Sequence, residues 1–160
     1  MRCTDREASI VEQMVLPTVD EINEFLEDSF GGSGNRCEEI GERWAIARID
    51  PVATQLRPGG IISGPTVFGA CDAALYYACF TVMGIEPMVL TSEMSIRFLR
   101  PARGPVLRAR AHLDHAGKRS LIGTVTAWTD DPAKPVAVAQ GTYMAPLDRT
   151  PRAGSVTGHE

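Results

Sequence analysis

No two cysteines in this chain are spaced C-x-x-C, and none stands with a histidine at ligand spacing, so Cys3, Cys37, Cys71 and Cys79 offer no zinc site. No metal is expected. Cys71 and Cys79 fall in an apolar run where cysteine behaves as a small hydrophobe, and a reduced, cytoplasmic setting is the simplest expectation. Histidine is scarce: the chain holds only His112, His115 and His159. A basic excess is also lacking, since the net charge is -4, which gives no whole-chain attraction for nucleic acid or anionic membranes. Asp5, Glu7 and Glu12 interrupt the N-terminal residues where an export signal needs an unbroken apolar stretch, so no such signal is expected. Charge is nearly absent from the segment between Arg57 and Glu86, where Asp72 stands alone. A carboxylate among apolar neighbours is costly unless something pairs with it or uses it.

What is present reads as one ordinary domain: 160 residues, 44% hydrophobic and 22% charged, suffice for one core and not two. Val19, Ile22, Phe25, Leu26 and Phe30 recur at helical spacing, with Asp20, Glu21 and Glu24 in the first turns, so an amphipathic helix is expected over 18–30. Residues 37–49 read as one strand closed by Pro51. Thr66 to Met83 reads as a long apolar helix, opened by Ser63, Gly64 and Pro65 and closed by Gly84 and Pro87.

From Met88 onward the period is two. Met94, Ile96 and Phe98 share one strand face; Leu107, Ala109, Ala111 and Leu113 share another; the runs 121–128 and 136–143 make a third and a fourth strand. The connecting segments ARGP, HAGKR and DDPAKP suit hairpin or meander turns. The apolar helix is near bilayer-spanning length, but the soluble-type strands that follow need a helix to pack on, so a buried core helix is the better reading. The expected architecture is α+β, a curved antiparallel sheet wrapped around a long central helix. An N-terminal extension over 1–36, a main domain over 37–147 and a polar, loose tail over 148–160 are expected.

Two motifs carry a resemblance. The loop Arg57-Pro58-Gly59-Gly60-Ile61-Ile62-Ser63-Gly64-Pro65 is followed by Asp72 nine residues beyond Ser63, and a later strand reads Thr91-Ser92-Glu93-Met94-Ser95-Ile96-Arg97-Phe98-Leu99-Arg100-Pro101-Ala102. Over about 37–147 the chain resembles the PaaI-like acyl-CoA thioesterases of the hotdog fold. Their loop has the form N-x-x-G-x-x-H-G-G and their strand the form T/S-x-D/E-M-x-I-x-Y/F-x-x-P-A. The strand matches well; the loop keeps the spacing but carries Arg57 for Asn, Ser63 for His and Pro65 for the second Gly.

That resemblance implies an acyl-CoA thioesterase without a cofactor, coenzyme A being part of the substrate. It further implies a homo-oligomer, a dimer or dimer of dimers, with each site built across an interface. Asp72 matches the family carboxylate that activates water or attacks directly, Gly64 the oxyanion donor at a helix N-terminus, and Thr91 the strand hydroxyl beside the carboxylate. Arg57, Gly60 and Ser63 fall on the substrate-facing loop, and Lys118 and Arg119, with Arg100 or Arg103, are candidates for the coenzyme A phosphates. Read without the resemblance, Gly64 is equally a helix-start glycine, Thr91 an ordinary strand residue, and the cations solvated turn residues. Pro65 lacks an N–H, which removes a second oxyanion donor. Two other functions stay open at this level: a non-catalytic acyl-CoA-binding or aromatic-ligand-binding protein, motivated by the altered loop, and a hydratase or dehydratase, disfavoured because no histidine lies near the helix start.

Overall fold

A computed structural model describes residues 15–147 of the chain. Helix α1, Val19–Phe30, begins at Thr18, whose hydroxyl accepts from the Glu21 amide while the Glu21 carboxylate accepts from the Thr18 amide. This reciprocal cap satisfies two of the donors that a helix start leaves free. Ile22 and Leu26 are its buried residues. The expected single strand over 37–49 is instead a hairpin, β1 (Asn35–Gly41) and β2 (Trp44–Ile49). Arg43 makes the turn at a φ of 63°, with its amide donating to Thr81 Oγ1 and its Nε–H to the Leu113 carbonyl. A non-glycine residue in the left-handed region is uncommon, and tertiary bonds absent from the local pattern hold it here.

Two short strands, β3 (Leu56–Arg57) and β4 (Ile61–Ile62), pair to form a small ribbon ahead of the central helix α2, Gly64–Met83. Strands β5 (Leu90–Phe98), β6 (Leu107–Ala116), β7 (Ser120–Trp128) and β8 (Ala137–Met144) complete an antiparallel sheet in the order β1-β2-β6-β7-β8-β5. This order corrects the meander reading at one point. β6–β7 and β7–β8 are sequential neighbours, but β5 pairs with β8, so residues 99–106 carry the chain from the sheet edge to its middle. The architecture is the α+β hotdog arrangement.

Sheet and helix fit because their facing residues are small where the two come closest. Leu75 of α2 lies over the cross-strand pair Gly123 and Gly141; a Cβ on Gly123 would sit 2.6 Å from both Leu75 Cδ1 and the His112 carbonyl oxygen. Alternate residues Leu107, Ala109, Ala111 and Leu113 of β6, and Leu121, Val125 and Ala127 of β7, complete the buried face. α2 has the length and composition of a membrane span, but 61% of that window is buried inside the fold. It is the core helix.

The two edges of the sheet differ. At β1 the Asn23 side chain of α1 donates to the Cys37 carbonyl (2.9 Å) and accepts from the Cys37 amide (2.8 Å), which closes that edge. At β5 the outer edge pairs with no other strand among the described residues, and Leu90, Phe98 and Leu99 are exposed.

Candidate active site

Asp72 lies in the third turn of α2, half-buried on the side that faces β5 and β8, rather than enclosed in the core. Its Oδ1 accepts two hydrogen bonds, from the Thr91 hydroxyl at 2.9 Å and from the Tyr143 hydroxyl at 2.7 Å. Oδ2 accepts none from the described residues. Thr91 is opposite Tyr143 in the β5–β8 ladder, and both face the helix. Strict alternation would turn Thr91 the other way, because Met94 and Ile96 already occupy the inward face. A register shift between Thr91 and Glu93 inserts one residue and restores Thr91 to that face.

Tyr143 is buried, and its ring stacks on Tyr76 with centroids 5.9 Å apart. Burial first, and then the adjacent Asp72 charge, push its hydroxyl well above the ordinary tyrosine range, so it stays protonated and remains a donor. The thiols of Cys71 and Cys79 are pushed up to about 12, mainly by burial and secondarily by the Asp72 charge. Neither is a nucleophile at neutral pH. No cluster of His, Cys, Asp and Glu suited to a metal occurs among the described residues.

The loop residues form a second group. Gly59 and Gly60, with φ of 87° and 70°, make the turn between β3 and β4, where glycine alone adopts the left-handed backbone freely. Ser63 is the N-cap of α2: its hydroxyl accepts from the Thr66 amide and shares a 2.8 Å bond with the Thr66 hydroxyl, while its own amide donates to Gln55 O. Of the helix's first three residues, Thr66 donates to the cap and Pro65 has no N–H. Gly64 is left with the free donor. It opens onto an apolar cleft of about 500 Å³ lined by Ile61, Val67, Phe98, Leu99 and Val136, with Arg57 and Arg100 also on its wall. Arg103 donates to the Gly59 carbonyl and braces the turn.

Within one chain the two groups do not meet. Gly64 and Asp72 are eight residues apart, about 12 Å along the helix, and Gly64 lies beside Phe98 while Asp72 binds Thr91, about 23 Å away along β5. The cations divide in the same way. Exposed Lys118 and Arg119 occupy the β6–β7 turn, where the Arg119 carbonyl accepts from the Ala145 amide just past the Tyr143 end of β8, whereas Arg100 adjoins Val136 at the other end. The expected grouping of these residues with Arg100 or Arg103 therefore does not occur within one protomer. Tyr143 was missed by sequence reasoning; its only signal was a hydroxyl on the strand face that otherwise carries Ala137, Ala139 and Gly141.

Residues 59–136 match the model of the thioesterase superfamily. A Saccharolobus solfataricus protein named "Putative esterase" is 30% identical over 129 residues, 79% of this chain and 85% of that protein. The chain belongs to the thioesterase superfamily. Among solved structures, this thioesterase is similar to a "putative thioesterase" of Silicibacter sp. TM1040, at 26% identity and a TM-score of 0.72, covering 80% of this chain and 91% of that one. It also shares its fold with the E. coli PaaI protein from the phenylacetic acid degradation operon, at 24% identity and a TM-score of 0.63 over 77% of this chain and 89% of that one. The enzyme is a thioester hydrolase.

Proposed function

We propose that the substrate is an acyl-CoA and that Asp72 is the catalytic carboxylate, acting on it within a homodimer joined along β5. The observation that carries this reading is the Asp72 carboxylate held by two hydroxyls with one oxygen left free. As general base, Asp72 takes a proton from water while the water oxygen bonds to the thioester carbon. The oxyanion accepts the Gly64 N–H, the C–S bond breaks, and the thiolate leaves and is protonated to free coenzyme A. Direct attack by the same oxygen would give an acyl-aspartyl anhydride, which water then cleaves to the same products.

The distance between Asp72 and Gly64 is what favours two copies. Antiparallel pairing of the open β5 edges about a two-fold axis at Ser95 would set Met94 against Ile96 and, with the extra residue between Thr91 and Glu93 counted, Thr91 of each copy against Phe98 of the other, and so Asp72 of one near Gly64 of the other. The same axis brings Lys118 and Arg119 of one copy to the end that carries Arg57 and Arg100 of its neighbour, a basic margin for coenzyme A phosphates. The apolar cleft beside Gly64, with Arg57 on its wall, then receives the acyl group, and no separate cofactor takes part. The setting proposed is the cytoplasm, with no nucleic acid or membrane partner. The test is release of thiol from short, long and aromatic acyl-CoAs by the purified protein, set beside Asp72→Asn. No release above a buffer blank would remove the acyl-CoA reading and favour a binding protein.

A further inference from the structure

The Tyr143 hydroxyl lies 2.7 Å from Asp72 Oδ1, the shorter of the two hydrogen bonds that oxygen accepts. Ordinary fold requirements do not demand it. The Asp72 carbonyl, 3.1 Å from the same hydroxyl, lies within α2, whose own ladder offers it an amide, and the ring is already fixed by burial and by its stack on Tyr76. A carboxylate on a half-exposed helix face otherwise rotates about its side-chain torsions and offers either oxygen. Two donors from neighbouring strands converging on one oxygen leave a single orientation.

We propose that Tyr143 is a positioning residue of the hydrolysis: with Thr91 it pins Oδ1 of Asp72, so that Oδ2 is the oxygen presented to the attacking water or to the thioester carbon. Neither hydroxyl exchanges protons with substrate. Tyr143 is buried behind the carboxylate, and its raised proton affinity keeps it a donor throughout the neutral range. The two strands deliver their donors by different means, since Thr91 is aimed by the irregularity in β5 and Tyr143 by regular alternation in β8. The arrangement follows the logic of orienting groups that fix a general base without titrating themselves.

This inference rests on Asp72 being the catalytic carboxylate, so the experiment contains both tests. Steady-state thiol release is measured for wild type, Asp72→Asn, Tyr143→Phe, Thr91→Val and the Tyr143→Phe/Thr91→Val double variant, with melting temperature and oligomeric state recorded for each. Tyr143→Phe keeps the ring and its stack and is expected to lower kcat about tenfold to a hundredfold with KM within twofold. The double variant is expected to lose more than either single change. Asp72→Asn inactive with Tyr143→Phe at wild-type kcat would overturn the positioning role alone; a fully active Asp72→Asn would overturn the underlying assignment. If Tyr143→Phe proves unstable, kcat of Thr91→Val decides, because its hydroxyl is exposed and serves the same oxygen. An unchanged kcat there removes the two-donor account.

Discussion

Two hydroxyls on one carboxylate oxygen define the site at the scale of single residues, and the fate of Ser63 shows how one position can change roles. Its hydroxyl caps α2, which stabilises the helix that carries Asp72. Ser63→Ala is expected to cost about 1 kcal/mol of stability, measured by urea unfolding, with KM unchanged. Glu38 offers a second residue-scale test. Its carboxylate accepts from Arg108 Nε–H at 2.6 Å and Arg48 Nη1–H at 3.3 Å, and hydrogen bonding to Arg108 first of all lowers its proton affinity from the ordinary 4.5. A lowered folded-state value means the stabilisation is complete above pH 4.5 and is lost as pH falls through the folded value. The melting-temperature difference between wild type and Glu38→Gln should therefore be largest above about pH 5 and close on acidification.

At the scale of elements, the packing of α2 on the sheet predicts opposite outcomes for two glycines. Gly123→Ala forces a Cβ against a backbone oxygen and Leu75 and should destabilise by about 1–3 kcal/mol. Gly69→Ala, in the helix with nothing within 4 Å of its Cβ, should instead stabilise by about 0.5–1 kcal/mol. Thermal unfolding of the two variants checks both signs. The central helix was legible because an apolar run with a capping serine at one end and Gly84 at the other leaves little choice, and β6 to β8 were legible because alternation runs on through residues 107–113, 121–127 and 137–143, the one irregularity falling after Leu113 near the end of β6. The β1–β2 turn was not, since Arg43 carries no turn signature and is held by Thr81 and Leu113 from distant segments. Nor was the β5–β8 pairing, which depends on long-range topology. Thr91 was found by motif, yet its orientation depends on an irregularity that a period of two cannot express, and Tyr143 could not be joined to Asp72 without knowing that β8 lies beside β5.

At the scale of the whole molecule, the contrast between the edge closed by Asn23 and the open edge of β5 argues for association along β5. Sedimentation equilibrium is expected to return a mass that is an even multiple of the 17.3 kDa chain; a monomer at micromolar concentration would contradict the shared site. The proposed pairing along β5 would also bring together Asp72 and Gly64, which lie too far apart in a single chain to act on one thioester. The most direct measurement is thiol release from an acyl-CoA panel by wild type and Asp72→Asn at equal concentration. The account predicts release by the wild-type enzyme and a loss of at least about 10³-fold in the variant, which remains folded and oligomeric; an Asp72→Asn enzyme that turns over at the wild-type rate would contradict it.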